Sequence, residues 1–317
     1  MTDPAAFLRQ LFDRAVEVAD PMRSLAGFLP EKPAGRVLVI GAGKASARMA
    51  EAVEAVWGPC DGLVITRYGY GRPCRGIKIV EAAHPVPDAA GEQATRRMLD
   101  LLRGLDDGDF VLALISGGAS ALLCAPGDGG TLAEQQAANA ALLASGAPIS
   151  AMNTVRKHLS RVKGGQLAAA AWPARMLALM ISDVPGDDPA FIGSGPTVGD
   201  ASTPADAAAI LDRWQVPVPQ AARVALGRSG VIAPGDPRLS RCTNLIYAAP
   251  AQSLAAAADL AGASCKVRHL GDRLEGEARQ AAADQARLAL QVAADLRPSD
   301  RPVLLLDEPF ASLGPSL

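Results

Sequence analysis

Three apolar runs in this chain end in polar turns that carry glycine: Gly41-Ala42-Gly43-Lys44, Ser116-Gly117-Gly118-Ala119-Ser120 and Ser182-Asp183-Val184-Pro185-Gly186-Asp187-Asp188. Glycine lets backbone N–H groups approach an anion, and a following helix offers its positive end to the same charge. Lys44 stands at such a helix start, against the preference of the macrodipole, so an anionic ligand is its natural counterpart; the plainer reading is a solvated lysine. Asp183, Asp187 and Asp188 are carboxylates of the kind that hold Mg²⁺ beside phosphates, though Asp and Gly also build ordinary turns. Gly193-Ser194-Gly195-Pro196 is a fourth candidate anion-binding turn.

Two common templates fail at the first turn. A P-loop needs G-x-x-x-x-G-K-[ST], but Leu38 replaces its first glycine and Ala45 its hydroxyl residue. A dinucleotide fingerprint needs glycine at 46, which is Ser46, and the next strand ends in Thr66-Arg67 without the acidic ribose partner. Arg67 leaves an NADP-dependent oxidoreductase open.

A second signal lies at 151–163. Met152, Val155, Leu159 and Val162 repeat at helical spacing as an apolar stripe. Asn153, Arg156, Lys157, Ser160 and Gly164 occupy the opposite side, with Lys163 at the margin, so Arg156, Lys157 and Lys163 form a cationic face with no carboxylate on it. Such a face suits phosphate or carboxylate; an ordinary basic surface is the alternative. His84, before Pro85, is either a structural loop residue or an acid–base group.

These side chains need a frame. RVLVIGAGKASARMAEAVEAV (36–56) and DFVLALISGGASALL (109–123) each predict strand, glycine turn and helix. Shorter strands are expected at 62–67 and 77–82, a strand running into an acidic loop over 174–188, and helices at 3–28, 91–105, 131–145 and 150–163. Apolar strands alternating with helices imply an α/β fold, a Rossmann-like parallel sheet covered on both faces, whose strand ends converge on one edge. The Gly/Pro-rich stretch at 230–240 marks a boundary, giving a first domain at 1–235 and an incomplete α/β second domain at 240–317 built from strands near 244–249, 265–270 and 302–306 and helices at 251–262 and 275–295. An apolar edge at 302–313 suggests self-association, a homodimer at its simplest.

Composition bounds the rest. Net charge is −2, which disfavours nucleic-acid or anionic-membrane binding. Five cysteines without a CxxC pair read as reduced thiols, and no leader or membrane run is evident, so a cytoplasmic protein is expected.

Taken together, VLVIGAGKAS, EAAHPVPD, ISGGASALL, MNTVRKHLSRVKGGQLA and SDVPGDDPAFIGSGPTVGD resemble the class II glycerate 2-kinase family, some of whose relatives carry the label hydroxypyruvate reductase. The resemblance spans roughly residues 5–306. It implies a Rossmann-like first domain, a smaller second domain of the MOFRL type, and D-glycerate, ATP and Mg²⁺ converted to 2-phosphoglycerate and ADP. The family's functional lysine falls on Lys44. Gly41, Gly43, Ser116, Gly117, Gly118, Ser120, Asn153, Arg156, Lys157, Lys163, Gly193 and Ser194 become candidate substrate or nucleotide contacts, and Asp183 and Asp187 candidate Mg²⁺ ligands. After PVLLL, family members continue with a Ser-Gly-Gly-Glu turn and an arginine-bearing glycine-rich motif; this sequence reads DEPFASLGPSL. That difference implies a truncated second domain and weak turnover. A non-catalytic ligand-binding remnant and an NADP-dependent hydroxypyruvate reductase are the alternatives. The LLLDEP string resembles an ABC-ATPase motif, but no P-loop accompanies it.

Overall fold

The computed structural model describes residues 3–271, 276–297, 299–307 and 313–314. Its centre is a six-stranded, all-parallel sheet: β1 (Val37–Ala42), β2 (Asp61–Arg67), β3 (Lys78–Ala82), β4 (Phe110–Ile115), β5 (Arg175–Ile181) and β6 (Cys242–Ala248), in the order β3-β2-β1-β4-β5-β6. Every residue of β1 and β4 is buried, as expected where helices cover both faces. Alternate side chains feed two cores. Leu38, Ile40, Val111, Ala113 and Ile115 pack on one face with Leu122 and Leu167. Val37, Val39, Leu112 and Leu114 pack on the other with Met49, Val53 and Tyr247.

The helices are α1 (Pro4–Ala19), α2 (Pro21–Ser24), α3 (Ser46–Trp57), α4 (Ala89–Leu102), α5 (Ala119–Leu122), α6 (Leu132–Ala144), α7 (Ile149–His158), α8 (Gln166–Ala170), α9 (Pro204–Arg213), α10 (Gln220–Leu226), α11 (Pro250–Gly262) and α12 (Ala278–Asp295). Their starts follow capping chemistry. Asp88 accepts from the Gly91 N–H at the start of α4, and Thr131–Glu134 and Thr203–Asp206 close capping boxes on α6 and α9.

Three expectations change. The single helix over 3–28 is broken at Asp20, whose carboxylate caps α2 by accepting from the Met22 N–H, with Pro21 following. The helix over 150–163 stops at His158, and Gly164 and Gly165 then adopt positive φ, so Leu159, Val162 and Lys163 are buried from a turn rather than a helical stripe. The boundary near 235–240 is crossed twice. The strand near 244–249, expected to open a second domain, is β6 and pairs in parallel with β5. Helix α1 in turn packs on α11, with Leu11 against Ala257 and Ala261. Strand β7 (Lys266–Gly271) pairs in parallel with β9 (Val303–Asp307) beside this pair, and a short β8 (Gly276–Glu277) pairs with β10 (Leu313–Gly314). Of the apolar edge expected at 302–313, residues 308–312 lie outside the described residues. No helix among the described residues is long and apolar enough to cross a membrane.

Candidate active site at the carboxyl edge of the sheet

In the order 3-2-1-4-5-6 the strand sequence reverses between β1 and β4, and an open parallel sheet binds its ligands at such a switch point. The turns after β1 and β4 meet there. They are laced by the Lys44 N–H donating to the Gly117 carbonyl (2.8 Å), the Ala45 N–H donating to Ser116 Oγ (3.1 Å), and Ser46 Oγ beside Ser116 Oγ (3.0 Å). The Gly43 N–H donates to the Ile65 carbonyl (3.1 Å). The amides of Gly43, Lys44 and Ala45 are therefore already committed, and Gly41, Gly43 and Ser116 hold the frame rather than a ligand. Space explains the two glycines: a Cβ at Gly41 would stand 2.4 Å from the Leu114 carbonyl oxygen, and one at Gly43 2.0 Å from Ser116 Oγ.

The amides free for an anion belong to the second turn. Gly117 and Gly118 donate to nothing among the described residues. Gly118 has φ +85°, and a Cβ there would come within 3.0 Å of the His84 ring and 3.3 Å of Lys44 Cγ, so His84, Lys44 and this turn share one corner. Lys44 Nζ is 3.7 Å from Asp183 Oδ2, both side chains being about 40% exposed, and Asp183 also presses on Gly117. Burial, then Lys44 and Arg67, push the His84 pKa down, so its imidazole is neutral at neutral pH.

Beside this corner lies a cavity of about 320 Å³ lined by His84, Gly118, Ser120, Asn139, Arg156 and Lys163, with Cys124, Gln135 and Gln136 also on its wall. Arg156 donates from Nε to Asn139 Oδ1 (3.2 Å) and from Nη1 to Asn153 Oδ1 (3.3 Å). Lys163 Nζ, fully buried, donates to the Leu123 carbonyl (2.7 Å). Neither has a carboxylate partner among the described residues. Burial lowers the Arg156 pKa and brings that of Lys163 down to about 8. A buried lysine and a half-buried arginine without carboxylates on one wall are costly unless an anion joins them. Ser120 Oγ reaches Ser194 Oγ (2.8 Å), and Gly193 packs on Ala119, where a Cβ would clash at 2.9 Å. The Gly193-Ser194 turn thus supports α5 from behind and does not line the cavity.

Lys157 departs from the cationic face expected of it. It is buried and ion-paired with Asp200, and its Nζ lies 5.5 Å from the Phe191 ring centroid. Burial opposes the Asp200 charge, but hydrogen bonds from Lys157 and Ser202 prevail and hold its pKa at about 2. The carboxylate missing from the helix arrives from the loop before α9. Asp187 has φ 54° and a buried Oδ1 without a hydrogen-bond partner, while Asp188 accepts from the Ala190 N–H. No cluster of three potential metal ligands occurs among the described residues, so a cation here would rely on one or two carboxylates together with ligand oxygens. Asn139, Gln135 and Gln136 carry no signal in the sequence, because α6 shows only alanine-rich periodicity.

Over residues 7–227 the chain matches the family described as a domain of unknown function, DUF4147. A putative hydroxypyruvate reductase of Agrobacterium vitis is 49% identical over 319 residues, covering 97% of this chain and 71% of the relative. The glycerate 2-kinase of Pyrococcus horikoshii is 35% identical over 315 residues, covering 94% of this chain and 71% of the relative. A crystal structure of glycerate kinase from Thermotoga maritima superposes with a TM-score of 0.82 at 34% identity, covering 95% of this chain and 73% of that one.

Proposed function

Since the chain belongs to the glycerate kinase family, we propose that it transfers a phosphoryl group from ATP to the 2-hydroxyl of D-glycerate. The observation that carries this reading is a pair of cations with no carboxylate partner among the described residues, half-buried Arg156 and buried Lys163, in a cavity whose rim at His84 and Gly118 abuts Lys44. A small hydroxy acid would set its carboxylate on Arg156 and Lys163, which leaves its hydroxyl toward that rim.

Phosphoryl transfer asks for positioned anions and neutralised charge more than covalent chemistry. Lys44 and the free amides of Gly117 and Gly118 would receive the moving phosphoryl group. Neutral His84 is suited to accept the hydroxyl proton, with Asp183 as a second acceptor at the same corner. Asp183 and Asp187, whose buried Oδ1 has no hydrogen-bond partner, would be the carboxylates to hold a Mg²⁺ ion. When bound, that ion neutralises phosphate charge.

The reductase name borne by the Agrobacterium relative finds less support. A dinucleotide's pyrophosphate needs the amides of the first glycine turn, which are spent inside the protein, and Arg67 stacks over Tyr70 at 4.1 Å.

The test is ATP turnover with D-glycerate, the product identified by ³¹P NMR. Lys44→Ala is expected to lower kcat on the order of 10³-fold with an unchanged circular dichroism spectrum, the scale of losing one preorganised electrostatic group. Wild-type turnover by that variant, or steady NADPH oxidation with hydroxypyruvate, would overturn the proposal.

A further inference from the structure

A second cavity, of about 420 Å³, lies on the helical face around the end of α4 and the start of α8, and nothing in the proposed reaction uses it. Four arginines reach its walls: Arg103, Arg161, Arg228 and Arg238. Its only lining carboxylate is Asp128, 3.4 Å from Arg161. Arg103 pairs with Asp100 at 2.9 Å, and the Arg238 fork is taken by Asp236, which accepts from Nε at 3.0 Å and from Nη2 at 2.8 Å. Arg228 has no ion pair among the described residues. The four guanidinium groups thus meet three carboxylates, Asp100, Asp128 and Asp236, and Arg228 is the surplus cation among the described residues. A guanidinium fork matches phosphate oxygens in pairs, and Arg228 offers one at this wall.

The same backbone borders both cavities. Ser160 and Arg161 line the arginine cavity, and Leu159 and Lys163 line the catalytic one. Gln166, on the arginine side, donates from Nε2 to the carbonyls of Ser160 (2.7 Å) and Lys163 (2.8 Å). The Arg161 N–H donates to the Ala125 carbonyl (3.0 Å), next to Cys124 on the catalytic wall. An anion drawing on Arg161 and packing beside Gln166 therefore acts on the segment that sets Lys163.

We infer that the arginine cavity is a second site, for a phosphate-bearing small-molecule anion, and that its occupancy changes glycerate affinity through residues 159–166. Binding at this site does not depend on the catalytic reading; the coupling rests on it. The probe is inorganic pyrophosphate. Glycerate dissociation constants are measured by calorimetry without nucleotide, with and without pyrophosphate, in the wild type, in the exposed pair Arg161→Ala/Arg228→Ala, and in Arg156→Ala. Pyrophosphate should shift the wild-type glycerate constant about 5-fold, the lower end of ordinary coupling. The arginine pair should abolish that shift and weaken pyrophosphate binding at least 10-fold, while Arg156→Ala should keep most of the pyrophosphate affinity. Equal pyrophosphate binding by wild type and the arginine pair overturns the site. An unshifted glycerate constant at saturating pyrophosphate overturns the coupling. Wild-type protein that binds pyrophosphate but not glycerate overturns the catalytic reading and leaves the arginine site standing.

Discussion

Helix α7 and the turn after it present two clusters of cations with opposite fates. In one, Lys157 meets Asp200, Ser202 joins the same carboxylate, and His158 lies between Ser202 Oγ (3.1 Å) and Ser229 Oγ (2.7 Å). In the other, Arg156 and Lys163 meet only amide and carbonyl oxygens among the described residues. Lys157 and Lys163 are equally buried, and Arg156 is half-buried. What differs is whether the protein supplies the negative charge or leaves it to a ligand. The first cluster is a joint between α7 and the loop before α9, and the second is a socket.

The contrast breaks most sharply at Asp200. Removing it as Asp200→Asn strands the buried Lys157 charge, so stability should fall by about 3–5 kcal/mol while the glycerate constant of the folded fraction stays put. Denaturant melts and calorimetry read both; a lost glycerate affinity in stable protein would erase the distinction between joint and socket. The native Asp200 pKa of about 2 lies below the ordinary 3.8, so its contribution is present above pH 3.8 and is lost as pH falls through about 2.

Arg156→Ala should show the reverse pattern. Glycerate binding is expected to weaken by 10- to 100-fold, since a hydrogen bond to a charged group contributes about 1.5–3 kcal/mol. Stability should hold, because half-buried Arg156 has no ion pair to lose among the described residues. A melting temperature that drops with unchanged glycerate affinity would make Arg156 a structural residue.

The smallest effect is in pH. The Lys163 pKa, lowered to about 8, means that its proton leaves the folded protein while the unfolded chain keeps its own up to about 10.5. Glycerate affinity should therefore fall a few-fold as pH rises through 8, and this group's share of stability should rise between pH 8 and 10.5, since the unfolded state binds more protons there. Lys163→Met should flatten both profiles above pH 8.

Much of the frame was legible because its signals are local. Continuous apolar runs gave β1, β2, β4 and β5, and Gly43-Lys44 and Gly117-Gly118 announced turns on one edge. The site itself was harder to read. The 3-4 spacing of apolar Leu159 and Val162 past His158 suggested a longer helix, but both are buried from a turn that runs into two positive-φ glycines.

The sequence by itself determined the α/β frame, the edge where its turns converge and the chemistry available there, since these depend on hydrophobic period and on residues a few positions apart. Only the tertiary structure decided which groups are spoken for. Lys157 and Arg156 are neighbours in the chain, yet Asp200, 43 positions beyond Lys157, neutralises one and no carboxylate among the described residues meets the other. Likewise the amides of Gly43 and Gly117 look alike in sequence, but packing β1 against β2 and β4 consumes the first and leaves the second free. Pairing across such distances is set by which loops the sheet brings together, and no local pattern encodes it.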